Sequence, residues 1–303
     1  MISPSITWIA TVTLVDMKKV LVLGGSRYFG RGVVERLRDG GLDVTVLNRG
    51  STPAPSGVAH LIADRDDEDG LKTALGSRSF DVVLDQVCYT PVQAAIARRV
   101  IRADRYVMTS TIEVYDQIRT DTPMVESLVT PSAAEFGLPW HDGDFLEAHY
   151  GEGKRQAEAV FAAGDVPFAS VRAAHVLGGD DFTGRLRHYV ERLDAGDAVD
   201  VHARPRPTTF IHEREIADFL AWATEADFTG AINAGSHGEL SATDLAGAVV
   251  AEPRFRVVER DASPYSFDRY TVLDTSRATG LGFSFSTTTG WLSEAIEEIR
   301  KAL

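Results

Sequence analysis

The chain has 303 residues, 44% of them hydrophobic, and a formal net charge of −13. That length suits one large domain or a domain with a smaller lobe, and the acidic balance disfavours nucleic acid and anionic membranes as partners. A single cysteine, Cys88, excludes an internal disulfide framework and fits a reducing cytoplasm, and no run is long and apolar enough to span a bilayer.

Residues 1–16 (MISPSITWIATVTLVD) are mildly apolar but lack a basic leader and a cleavage pattern. They read as a disordered extension or the product of an upstream start codon. A strand follows at 18–24, then a helix at 30–41 that ends at glycines, and a second strand at 42–49. A turn-rich loop leads to a short strand at 58–64 and an acidic helix start, where carboxylates favour the helix dipole. Strands at 80–87 and 105–111 flank a helix at 91–101. Segment 116–145 is irregular, and a helix at 145–163 precedes a strand at 166–174. These strands are continuous apolar runs separated by amphipathic helices. That pattern predicts an α/β fold with a Rossmann-type doubly wound parallel sheet.

After Arg172 the rhythm changes to a loop, a helix from 185, a basic Pro-rich loop and further strand–helix units, with a terminal helix at 288–302. Residues 17–172 therefore read as a dinucleotide-binding domain. Residues 173–303 read as a smaller substrate-binding lobe, with a strand and helix near 207–234 returning to the sheet.

The first strand runs into Gly24, Gly25, Ser26, Arg27, Tyr28, Phe29 and Gly30, which open a helix. Glycines there permit a tight turn and close backbone approach, and the helix N-terminus offers free N–H groups to a pyrophosphate. The second strand ends in Asn48 and Arg49, where an NAD site carries an acid for the adenosine 2′-hydroxyl. With no carboxylate to repel a 2′-phosphate, Arg49 and Arg27 are placed to grip one. The cofactor expected is NADP(H) ahead of NAD(H), with Asp64 and Arg65 flanking the adenine.

Only five of the 31 basic residues are lysines, and one of them makes the chain's single Tyr-x-x-x-Lys, Tyr150 to Lys154. Positions i and i+4 share a helix face. A nearby ammonium lowers a phenol pKa, which makes tyrosine a usable acid and base at a substrate hydroxyl. Ser110 and Thr111 stand at the end of the strand 105–111, where ligands of an open parallel sheet bind. His141, Asp142 and Asp144 read as a polar loop, and the eight histidines show no metal spacing.

Together GGSRYFG, the ADR at 63–65, TSTIEVY, YGEGK and VRAAHVLGGDD resemble the extended or atypical short-chain dehydrogenase/reductases of the NAD-dependent epimerase/dehydratase family. The resemblance covers residues 17–303 and is strongest to the branch that includes chloroplast stem-loop RNA-binding proteins. It implies that Thr111 holds the substrate oxygen, Tyr150 is the acid/base, and Lys154 orients the nicotinamide ribose and tunes the tyrosine. It also implies Glu113 as a second acid/base. Ile112 stands where dehydratases have an Asp, which counts against 4,6-dehydration.

The resulting expectation is an NAD(P)-dependent oxidoreductase or epimerase of the cytoplasm, acting on a sugar-like or nucleotide-sugar substrate and forming a homodimer. The alternatives are a dinucleotide-binding RNA-associated protein and a non-catalytic NADP(H)-sensing regulator.

Overall fold

A computed structural model describes residues 17–130 and 133–303; the expectation for residues 1–16 lies outside them. The chain runs β1 (Lys19–Leu23), α1 (Tyr28–Asp39), β2 (Asp43–Asn48), β3 (Ala59–Ile62), α2 (Glu68–Leu75), β4 (Phe80–Asp85), α3 (Pro91–Val100) and β5 (Ala103–Thr111). It continues through α4 (Gly143–Ala148), α5 (Tyr150–Ala162), β6 (Phe168–Ala173), β7 (His175–Leu177), α6 (Arg185–Asp194), β8 (Val199–Val201) and β9 (Phe210–His212). It ends with α7 (Glu213–Glu225), β10 (Gly230–Ala234), α8 (Ala242–Val249), β11 (Phe255–Val257), α9 (Ser276–Gly280) and α10 (Thr288–Ala302).

Seven strands form one parallel sheet in the order β10-β6-β5-β4-β1-β2-β3, which is the doubly wound topology the apolar runs predict. Strand alternation explains its two covered faces. In β1, Val20 and Val22 face α1 and α7 through Val33, Leu37, Phe219 and Leu220. Leu21 and Leu23 face α2, α3 and α5 through Leu71, Ile96, Val160 and Phe161. The chain winds outward from β1 to β3 and then crosses back to β4, so the order reverses between β1 and β4. Ligands of such sheets bind beyond the strand C-termini at that reversal.

Residues beyond β6 build a second core from α6, α8, α10 and β8, with Leu186, Tyr189, Leu245, Trp291 and Ile296 at its centre. The chain nonetheless returns to the main sheet, since α7 packs on β4, β5 and β6, and β10 pairs with β6 (Asn233 opposite Arg172). β9 does not join that sheet; it pairs with β7 (His175 opposite Phe210), which brings the second lobe to the strand ends.

Candidate functional site

Gly24 and Gly25 have φ of +91° and +78°, a region that favours glycine. A Cβ at Gly25 would meet Val34 Cγ2 at 2.7 Å, and one at Gly30 would meet Gln86 Oε1 at 2.6 Å. The turn therefore keeps its backbone open at the first turn of α1, which carries no acid and no side-chain cap. The buried Gln86 Nε2 beside this turn and the buried Tyr28 hydroxyl are both without partners. A backbone cradle, free helix N–H groups and orphaned donors suit the pyrophosphate of a dinucleotide.

Around that turn, Asn48 Nδ2 donates to Ser26 Oγ at 2.6 Å, and Asn48 Oδ1 accepts from Gly50 N at 2.7 Å. Arg27 Nε reaches across to Thr52 Oγ1 at 2.9 Å. Arg27 and Arg49 are both exposed, and neither is paired with a carboxylate among the described residues. Asp64 is exposed and takes the Asp66 N–H at 3.0 Å. Arg65 departs from expectation. Its guanidinium is buried, donating to Asp85 Oδ1 at 2.7 Å and to Gln93 O at 3.4 Å, so it is not free to flank an adenine. The cause is Asp85, a carboxylate with no exposed surface that requires a cation.

The strand end that carries Thr111 is braced from below. Ser110 Oγ donates to Glu158 Oε1 at 2.5 Å, and Glu158 pairs with the buried Arg172 at 2.7 Å. Arg172 also donates to the Tyr115 hydroxyl at 3.0 Å, which donates to Asn233 Oδ1 at 2.8 Å. Ser110 is thus committed to the scaffold. Thr111 Oγ1 accepts the Glu113 N–H at 3.2 Å and caps the 3-10 turn Ile112–Tyr115.

Helix α5 delivers Tyr150 and Lys154 against this turn. Its close approach depends on two glycines. A Cβ at Gly151 would lie 2.2 Å from the Glu113 carbonyl oxygen, and one at Gly153 would lie 2.4 Å from the Tyr89 carbonyl oxygen. Lys154 is buried, with Nζ donating to Thr109 O at 2.8 Å. Burial presses its pKa down to about 8, opposed by Cys88 and Asp85. Burial raises the Tyr150 phenol, and the Thr111 hydroxyl and Arg185 oppose that rise. Glu113 is held by Arg269 at 3.1 Å. His175 Nε2 lies 3.8 Å from Glu113, buried and without a hydrogen-bond partner. Desolvation and the nearby Arg185 and Arg269 push its pKa down to about 3.

Sequence reasoning did not find Tyr89, His175 or Arg269. Tyr89 and His175 follow the ends of β4 and β6, so the strand-end rule was an available signal. Arg269 comes from an irregular tail and left none. Asp142 is a cap, accepting the Phe145 N–H at 2.9 Å to start α4. Among the described residues, no group of His, Cys, Asp and Glu is placed to hold a metal ion.

The model of the NAD dependent epimerase/dehydratase family matches residues 20–235. The chain belongs to that family. Among curated family relatives, the 2′-dehydrokanamycin reductase of Streptomyces kanamyceticus is 32% identical over 126 residues, covering 41% of this chain and 36% of that protein. The chloroplast stem-loop binding protein of 41 kDa b of Arabidopsis thaliana is 25% identical over 200 residues, covering 61% and 49%. The matches thus span at most about half the length of these relatives. The family fold is also that of Bordetella bronchiseptica WbmG in complex with NAD, with TM-score 0.72, 20% identity and 96% coverage of each chain. Thermus thermophilus UDP-glucose 4-epimerase in complex with NAD gives TM-score 0.69 at 19% identity, covering 94% of this chain and 100% of that one. Among the described residues, no helix of this family member is long and apolar enough to cross a membrane.

Proposed function

We propose that the protein is a nicotinamide-dinucleotide-dependent oxidoreductase or epimerase that acts at a hydroxyl-bearing carbon of a sugar-like or nucleotide-sugar substrate. The observation that carries this reading is that Tyr150 and Lys154 lie on one face of α5, with Tyr150 hydrogen-bonded to Thr111, at the sheet edge from which the glycine turn also leaves. The relatives support it: one is named a 2′-dehydrokanamycin reductase, and a structural neighbour is a UDP-glucose 4-epimerase bound to NAD.

Gly24 through Gly30 hold the pyrophosphate, Asn48, Arg49 and Asp64 border the adenosine, and Lys154 orients the nicotinamide ribose. A bound nicotinamide supplies or accepts the hydride. Tyr150 passes a proton to or from the substrate oxygen, and Thr111 donates a hydrogen bond to the same atom. Burial raises the phenol above its usual value, so the neutral hydroxyl is a proton donor to an alkoxide that develops at the substrate carbon. Glu113, fixed by Arg269, is the second acid/base beside the substrate. The exposed Arg27 and Arg49 favour NADP(H) over NAD(H), since each offers a guanidinium to a 2′-phosphate. A homodimer in the cytoplasm belongs to the same reading, and light scattering of the purified protein tests the dimer.

The experiment is a turnover panel. Wild-type protein with NADPH or NADH is offered keto sugars and UDP-hexoses, followed by nicotinamide absorbance and sugar chromatography. Reduction or epimerisation of a member of the panel supports the reading. Salt-dependent affinity for a stem-loop RNA, with no turnover across the panel, overturns it in favour of an RNA-associated role.

A further inference from the structure

We infer that Tyr89 is a positioning residue of this site, its ring holding the Lys154 ammonium both in place and charged. The inference rests on the reading that Tyr150 and Lys154 carry the chemistry. Lys154 Nζ sits over the Tyr89 ring, 4.5 Å from its centroid, and 5.8 Å from the centroid of Tyr150. The two tyrosine rings are themselves 6.2 Å apart, so Lys154 and both aromatics form one cluster. An ammonium has three donors. Among the described residues only Thr109 O accepts one, at 2.8 Å. The buried ammonium also faces an aromatic ring, whose negative face is a source of potential that favours its charged form.

The ring is not there by chance of packing, because its backbone is tied on both sides. Tyr89 N donates to Gln93 Oε1 at 2.8 Å, and Thr90 caps α3 by accepting the Gln93 N–H at 3.2 Å. Two residues earlier, Val87 N donates to Asp85 Oδ1 at 3.0 Å. The Tyr89 carbonyl lies against Gly153, one residue before Lys154, at a distance only glycine allows. The loop after β4 therefore sets the ring, and the same loop sets the helix that carries the lysine. Other groups also bear on the ammonium: Asp85 and Cys88 from β4 and its loop, Arg65 from the loop after β3, and Glu158 from α5 itself. Asp85 is already paired with Arg65, and Glu158 with Arg172. Among the described residues, the Tyr89 face lies nearer to Nζ than the Tyr150 face does, at 4.5 Å against 5.8 Å, and with Thr109 O it supplies the close negative potential.

Lysine NMR tests this without a substrate. The chain has five lysines, so ε-13C-lysine labelling resolves Lys154, assigned by its loss in Lys154→Met. In wild-type protein its signal titrates near pH 8. Tyr89→Phe keeps the ring and keeps that midpoint. Tyr89→Leu moves it down by about one pH unit, the size of a desolvated cation–π contact. A pentafluorinated phenylalanine at position 89 retains the shape but removes the negative face, and gives the same downward shift if the leucine variant fails to fold. An unchanged midpoint in the leucine or fluorinated protein overturns the role of Tyr89 while leaving Tyr150 and Lys154 as proposed. Full turnover in Tyr150→Phe overturns the underlying reading instead, whatever the NMR midpoints are.

Discussion

Gly151→Ala changes one hydrogen to a methyl in the first turn of α5. The new Cβ would stand 2.2 Å from the Glu113 carbonyl oxygen and 2.8 Å from its carbon, where ordinary contact begins at 3.4 Å. Both obstructing atoms are backbone, so no rotamer change relieves the clash. Helix and turn must separate by about 1 Å, and overpacking of this kind costs about 1–3 kcal/mol of stability. The larger effect is on chemistry. The displaced turn carries Thr111 and Glu113 and the displaced helix carries Tyr150, so their mutual geometry opens directly. A misplacement of about 1 Å typically costs on the order of 100-fold in rate. NADPH affinity should fall far less, because the glycine turn at 24–30 is a separate element. The assay compares kcat, fluorescence-detected NADPH binding and thermal midpoint with those of Gly247→Ala, where a Cβ meets nothing within 4 Å. Wild-type kcat in Gly151→Ala would refute the close approach of α5 as the source of the site's geometry.

Three further outcomes are expected. Replacing Arg27 and Arg49 together by glutamine should weaken NADPH binding by about 30-fold or more, taking about 1–2 kcal/mol for each solvent-exposed phosphate contact; calorimetry with NADPH and NADH checks this, and an equal loss for both cofactors removes the 2′-phosphate assignment. Cys88 is fully buried and its thiol is pushed up to about 12, so iodoacetamide at pH 8 should leave it unmodified until the protein is unfolded, as read by intact mass. Lys154 loses its charge through about pH 8, so a reaction that requires its cation should fall as pH rises through that value, and a kcat profile flat from pH 7 to 9 would contradict the requirement.

The sheet was legible because its strands are buried on both faces. Runs such as VLVL at 20–23 and DVVLD at 81–85 are short, rich in β-branched residues and bounded by turn signals, which reads as buried strand between amphipathic helices. The glycine turn and the Tyr150–Lys154 pair were legible because each depends on local spacing. Long-range partners were not. Arg65 reads with Asp64 as an adenine-flanking residue, and only the buried Asp85 of β4 turns it inward. Tyr89 and Lys154 are far apart in sequence and meet because β4 ends and α5 begins at the same sheet edge. The three-residue strands β7, β8, β9 and β11 lie below the length at which period-2 alternation is visible, so the pairing of β7 with β9 had no sequence signature. The break between α4 and α5 was hidden too, since His149 ends one helix and opens the next without a proline or glycine at the junction.

The most direct test of the account is Tyr150→Phe, which removes one hydroxyl and leaves the ring, Lys154 and the glycine turn in place. NADPH affinity should stay within about twofold of wild type, with kcat on the substrate found by the turnover panel reduced by at least about 100-fold, the usual weight of a positioned acid/base. Wild-type kcat with intact NADPH binding would contradict it.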